Sequence, residues 1–174
     1  MRVYTIIWIV LIILGGGLTL AGCGYHLVGS GQLPQGIVSV FVSEPINNTS
    51  ESSLIASVSN ELKNELTRRQ IQMVETAQAA DGILTSEITS LTDATIARRG
   101  ATTALEKRLQ IRMDLRLEKS DGQIVWKGKG ITANETYTVI NGDDLATNSN
   151  RQAALSTLFQ RLAEDVYNRL SADF

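Results

Sequence analysis

At 174 residues, with 43% hydrophobic and 20% charged residues and only two prolines, the chain has the size and composition of one folded domain. A net charge of −2 excludes an overall electrostatic pull toward nucleic acid or an anionic membrane, so any anion binding must come from a local cluster of bases. One cysteine excludes an internal disulfide, and no CxxC or His/Cys spacing marks a zinc site, so burial alone holds the fold.

The N-terminus differs in composition from the rest. Between Arg2 and Glu44 no charged residue occurs apart from the titratable His26. Val3 to Leu14 (VYTIIWIVLIIL) is apolar throughout, then come Gly15-Gly16-Gly17 and the small-residue junction LTLAGC. One base, an apolar core and a small-residue junction are the three parts of a secretory signal. The competing reading is a membrane-spanning anchor over Val3 to Gly22. Three consecutive glycines weaken a spanning helix and no basic stop-transfer cluster follows, which favours the signal.

Leu20-Ala21-Gly22-Cys23 resembles the lipobox of bacterial lipoproteins. The resemblance implies cleavage after Gly22, so residues 1–22 are the signal and Cys23 is acylated as the first residue of the mature chain. Several acyl chains anchor a domain stably where one does not. Gly24 stands where an aspartate would retain a lipoprotein in the inner membrane, which points to the outer membrane. The mature chain then carries 15 basic and 18 acidic residues, a net charge of −3. His26, with no second ligand and no partner histidine, reads as part of the tether.

Residues 23–35 form the lipidated N-terminus and linker, ending in the glycine-rich GSGQLPQG, and the folded domain covers 36–174. Gly36 to Ser43 reads as a first strand, with Val38, Val40 and Val42 on one side and Ile37 and Phe41 on the other. EPINNT is a turn, and Thr49 or Ser50 is expected to cap a helix over about 50–69 with apolar residues at Leu54, Val58, Leu62 and Leu66. Ile71–Thr76 and Ile83–Leu91 read as further strands. Thr92–Thr103, including Arg98 and Arg99, shows little periodicity and reads as a loop.

Leu105 to Lys119 has the clearest pattern in the chain. Leu105, Leu109, Ile111, Met113, Leu115 and Leu117 occupy odd positions, broken only by Lys107, and no even position is apolar. Period two over this length predicts a long strand with one buried side and one wet or ligand-facing side. Asp121-Gly122 signals a two-residue hairpin. Leu117 should then face Trp126, Arg116 Lys127, Leu115 Gly128, Asp114 Lys129, and Met113 Gly130. One bulge in the second strand, Ile124–Tyr137, would reverse its parity beyond that point. Ser149–Gln152 has the form of a capping box, and an amphipathic helix follows to about residue 171. This order predicts an α+β fold, with two helices on one face of a mainly antiparallel or mixed sheet of about four strands.

No nucleophile elbow, phosphate loop or triad is visible, so the chain does not read as an enzyme, and no cofactor is called for. Asp143-Asp144 reads as a solvated loop. The candidate site is basic: Arg98, Arg99, Arg112, Arg116, Lys127 and Lys129, with Arg108 beside them. Their plain reading is a solvated sheet face with cross-strand pairs worth at most about 1 kcal/mol each. The sharper reading is an anion-binding face.

The passages LAGCGYHLVG and VSVFVSEPINNTSESSL, together with the element order, resemble the LptE family of lipopolysaccharide-assembly lipoproteins. The resemblance implies a non-catalytic partner of the outer-membrane β-barrel LptD. Such a protein sits in the barrel as a plug, assists its assembly and binds lipopolysaccharide, held to the membrane by its lipid anchor and binding no nucleic acid. The six basic residues would then meet lipid A phosphates. Two alternatives differ in class: a structural lipoprotein or pilotin of another secretion machine, and an inner-membrane protein that keeps its signal as an anchor.

Overall fold

The computed structural model describes residues 33–100 and 103–172. The expected signal segment, Cys23 and His26 lie outside the described residues. Leu33 is buried at the start of a short 3-10 turn, Pro34–Gly36, so packing begins inside the glycine-rich segment. The elements that follow are β1 (Ser39–Val42), β2 (Ile46–Asn47), α1 (Leu54–Arg68), β3 (Gln72–Met73), β4 (Gly82–Arg99), β5 (Thr103–Lys119), β6 (Ile124–Thr138) and α2 (Asp144–Ala172).

One mixed sheet carries all the strands in the order β3-β1-β4-β5-β6, with β2 joining β4 beyond β1. β1 runs parallel to both β3 and β4, while β4, β5 and β6 form an antiparallel meander. The sheet has six strands where about four are expected, because β2 and β3 are pairings of only two residues each. Both helices feed a single apolar core: Leu62 and Leu66 of α1 and Leu158, Leu162 and Val166 of α2 pack with Leu84, Ile88, Ile111, Met113 and Leu117 of the sheet. The α+β architecture is therefore as expected.

Element ends differ from expectation for local reasons. Asn47 Oδ1 accepts from Thr49 N–H at 3.0 Å and from the Thr49 hydroxyl at 2.8 Å, and its amide donates to the Glu51 carbonyl. These groups are thus spent on a turn, and α1 starts at Leu54, later than Thr49 or Ser50 would cap it. At the other helix Asp143 accepts from Ala146 N–H at 2.9 Å, so Asp143 is the cap and the expected capping box at Ser149 lies inside α2. Val38 falls before β1 and is 62% exposed, whereas Val40 and Val42 are buried.

The largest correction concerns Thr92–Thr103, which is strand rather than loop as far as Arg99 and again from Thr103. β6 accompanies β5 as far as Glu106, the partner of Ala97; beyond that pair β4 and β5 run on as a two-stranded ribbon, pairing Arg98 with Ala104 and Arg99 with Thr103. Its residues lie beyond the core and are largely exposed, so burial imposes no alternation on them.

The β5–β6 register matches expectation at Leu117–Trp126, Arg116–Lys127 and Leu115–Gly128, although the turn does not. Lys119 N–H donates to the Gln123 carbonyl at 2.8 Å and Gly122 N–H to the Lys119 carbonyl at 2.9 Å, closing a three-residue loop with Gly122 at φ 84°. A register shift at Val125 then restores the expected pairing. A second shift, at Lys129 and Gly130, overturns the expected Met113–Gly130 and Asp114–Lys129 pairs: Met113 faces Ile131, and Asp114 Oδ1 accepts from Gly130 N–H at 2.7 Å. Inward parity on β6 changes there from Trp126 and Gly128 to Ile131, Ala133 and Tyr137.

Candidate functional site

The sheet face opposite the helices is built by the even positions of β5. Arg108, Arg112 and Arg116 are exposed, as are Lys127 and Lys129 on β6. The bulge keeps these two lysines on the same side as the arginines while returning Ile131 to the core. Arg116 Nε donates to Thr85 Oγ1 of β4 at 2.8 Å and lies 3.6 Å from Glu118 Oε2, so its head is steered from both sides. Arg112 leans over the bulge, with Nη1 3.5 Å from the place a Cβ on Gly130 would take.

A cleft of about 360 Å³ opens on this face. Arg116, Lys127 and Lys129 form one wall, and Ser43 and Glu44, from the segment between β1 and β2, form the other with Ile46 of β2. Glu87 and Asp114 also line it, so three bases meet three carboxylates. Two of those carboxylates are engaged: Glu87 accepts from Asn48 Nδ2 at 2.6 Å, and Asp114 holds the Gly130 amide. Lys127 and Lys129 make no ion pair among the described residues.

Of the six predicted residues, Arg116, Lys127 and Lys129 share the cleft, and Arg112 lies two outward positions along β5 from Arg116, just past Asp114. Arg98 and Arg99 do not join them. They lie at the ribbon tip, thirteen and fourteen residues along β4 from Thr85, the partner of Arg116. That distance is about 45 Å at ~3.3 Å per residue. Sequence reasoning missed Ile46 and Thr85, which reach the cleft only through the pairing of β2 and β5 with β4.

On the helix-facing side the odd position Lys107, which interrupts the apolar series, is explained by Asp93, 3.7 Å away. Asp93 Oδ2 also accepts from the Tyr137 hydroxyl at 2.8 Å and faces Arg151 Nε of α2 at 3.4 Å. Arg151 reaches on to Glu51, ahead of α1, at 2.8 Å and 3.2 Å. The result is a polar clasp joining sheet, α1 and α2. Burial, reinforced by Asp93, pushes the Tyr137 hydroxyl up to about 12, and the hydrogen bond to Glu51 raises Arg151. Glu65 is a second buried charge: burial pushes it up, but hydrogen bonds from Arg69 and Arg68 outweigh that and hold it below the ordinary carboxylate range. Arg69 also stacks 4.7 Å from the centroid of the Tyr167 ring.

No grouping of three or more His, Cys, Asp or Glu side chains suited to a metal ion occurs among the described residues. No described helix is long and apolar enough to cross a membrane.

No curated protein sequence matches the chain. Solved structures do resemble it. Lipoprotein B from Nitrosomonas europaea superposes with a TM-score of 0.61 at 14% identity, covering 86% of this chain and 91% of that one. Rare lipoprotein B from Shewanella oneidensis gives 0.56 at 12% identity, over 76% and 94% of the two chains. A minor lipoprotein from Acinetobacter baumannii gives 0.54 at 15% identity, over 78% and 92%. At these identities the likeness shows a shared fold. The sequence profile of one family, described as LptE, lipopolysaccharide-assembly, matches residues 37–170, from the buried Ile37 almost to the end of α2. By that match over most of its length, the chain belongs to the LptE family of lipopolysaccharide-assembly proteins.

Proposed function

We propose that the chain is an outer-membrane lipoprotein, anchored on the periplasmic side through acylated Cys23, that partners and plugs the β-barrel LptD, assists its assembly, and binds lipopolysaccharide through the open sheet face. Family membership supports the assembly role, and the lipoprotein names of its structural relatives support the anchor. One observation carries the binding reading: Arg116, Lys127 and Lys129 converge on a single cleft on the face opposite the helices. Guanidinium and ammonium donors suit the phosphates of lipid A, and an exposed polar sheet face suits the wet interior of a large barrel.

Two experiments test this reading. Purification of the chain from detergent-solubilised outer membrane is expected to bring down a large β-barrel protein. Recovery of a secretin ring instead, with no lipopolysaccharide binding, would replace the reading with that of a pilotin. In a lipopolysaccharide titration, Arg116→Glu combined with Lys127→Glu is expected to lower affinity at least about tenfold, since each reversal removes an exposed charge contact worth up to about 1 kcal/mol and sets a carboxylate against the phosphate. Unchanged affinity removes the cleft from the site. Arg98→Glu with Arg99→Glu tests the ribbon tip separately. Mass spectrometry of the native N-terminus is expected to find an acylated Cys23; an intact Met1 would instead make the chain a signal-anchored protein.

A further inference from the structure

The cleft has an apolar wall that its charges do not explain. Ile46 is 62% exposed, although it lies in a strand, pairs with Glu87 of β4 and faces the basic wall. The chain fixes it there: Asn48 N–H donates to the Ile88 carbonyl at 3.0 Å, just after Ile46 and Asn47 pair with Glu87 and Ile88. A β-branched side chain adds little freedom of its own. Exposed single apolar residues are ordinary, but this one forms a wall of a cleft whose size is in the range of small-ligand sites.

The charges themselves favour a ligand with an apolar part. Three bases are balanced by Glu44, Glu87 and Asp114, so a bare anion entering this solvent-exposed cleft gains little. The same anion joined to an alkyl chain gains the burial of that chain as well. We propose that the cleft is a two-part site for a phosphate borne by an amphiphile with a hydrocarbon chain, in which Arg116, Lys127 and Lys129 take the phosphate and Ile46 takes the first methylenes of the chain. The inference deepens the glycolipid reading above and rests on it for the identity of the ligand.

The test uses the full chain in non-ionic detergent and two small probes, methyl phosphate and hexyl phosphate. Burial of one methylene is worth about fourfold in affinity, so hexyl phosphate is expected to bind at least about tenfold more tightly. Ile46→Thr, which keeps the β-branch, is expected to cut that ratio below about threefold while leaving methyl phosphate unchanged. Val38→Thr is the control, because Val38 is equally exposed but does not line the cleft. It is expected to leave both affinities as they are. Lys127→Gln with Lys129→Gln is expected to weaken both probes and preserve their ratio.

Equal affinities for the two probes, or equal effects of the Ile46 and Val38 substitutions, would overturn the two-part site. A lipopolysaccharide titration on the same samples separates the two readings. Lipopolysaccharide binding without a chain preference defeats this inference alone. A chain preference that depends on Ile46, without lipopolysaccharide binding, supports the site and defeats the glycolipid reading.

Discussion

Two glycines two residues apart on β6 have different jobs, and substitution separates them. A Cβ on Gly128 would overlap the Trp126 ring and stand 2.7 Å from Ile131 Cδ1, so the indole occupies the space this glycine leaves. Gly128→Ala is expected to cost about 1–3 kcal/mol through overpacking, read as a lower denaturation midpoint at unchanged slope. Gly130 instead needs its backbone freedom, at φ 60° in the bulge, and has room for a side chain. Gly130→Ala is expected to cost about 1 kcal/mol and Gly130→Asn less, because asparagine tolerates the left-handed region. Tyr137 supplies a pH test. Its hydroxyl is raised from 10.0 to about 12 by burial and by donation to Asp93, so the protonated form is favoured in the folded chain. The stabilisation is fully present below pH 10 and disappears as pH rises through 12. Ultraviolet titration should show one tyrosine ionising near the top of that window, and Tyr137→Phe should remove it.

The clasp around Asp93 joins elements that backbone pairing leaves separate. Arg151→Met keeps most of the side-chain bulk but leaves Glu51 and Asp93 without their shared partner. A loss of about 1–3 kcal/mol is expected, and less than additive loss when combined with Glu51→Gln in a double-mutant cycle. The elements differ in how plainly they can be read from sequence. β5 is plain because it pairs on both sides and buries one face from Leu109 to Leu117, so composition alternates residue by residue. The outer part of β4 is not, because a ribbon beyond the core has no buried face and is held by pairing with β5. Thr89 and Ile96 also sit at register shifts, which erase the period locally. The basic wall of the site followed from the parity of β5 and from a hairpin register that two opposite errors, in turn length and at Val125, left correct. The apolar wall could not be read, since Ile46 meets Glu87 only through a parallel pairing between strands far apart in sequence.

Across the whole molecule, order is expected to decline along the meander. Leu84, Ile88, Met113 and Leu117 belong to the core that residues of both helices share, whereas the ribbon past Ala97 lies outside it. Hydrogen exchange should therefore be slowest at Leu84–Ile88 and fastest among the paired strand residues at Ala97–Arg99; uniform protection would argue for a partner bound along the ribbon. The other end of the sheet has a mechanical consequence. β1 lies parallel between β3 and β4, with Ile37 wedged against Gly82 and Leu117 just ahead of it. Tension entering from the N-terminal side draws β1 along its own axis. The pairs of Val40, Phe41 and Val42 with Gly82, Ile83 and Leu84 then have to yield together in shear. The same force entering from the C-terminal side would peel α2 from the sheet turn by turn. The domain is strong toward a load on its first strand and compliant toward one on its last helix.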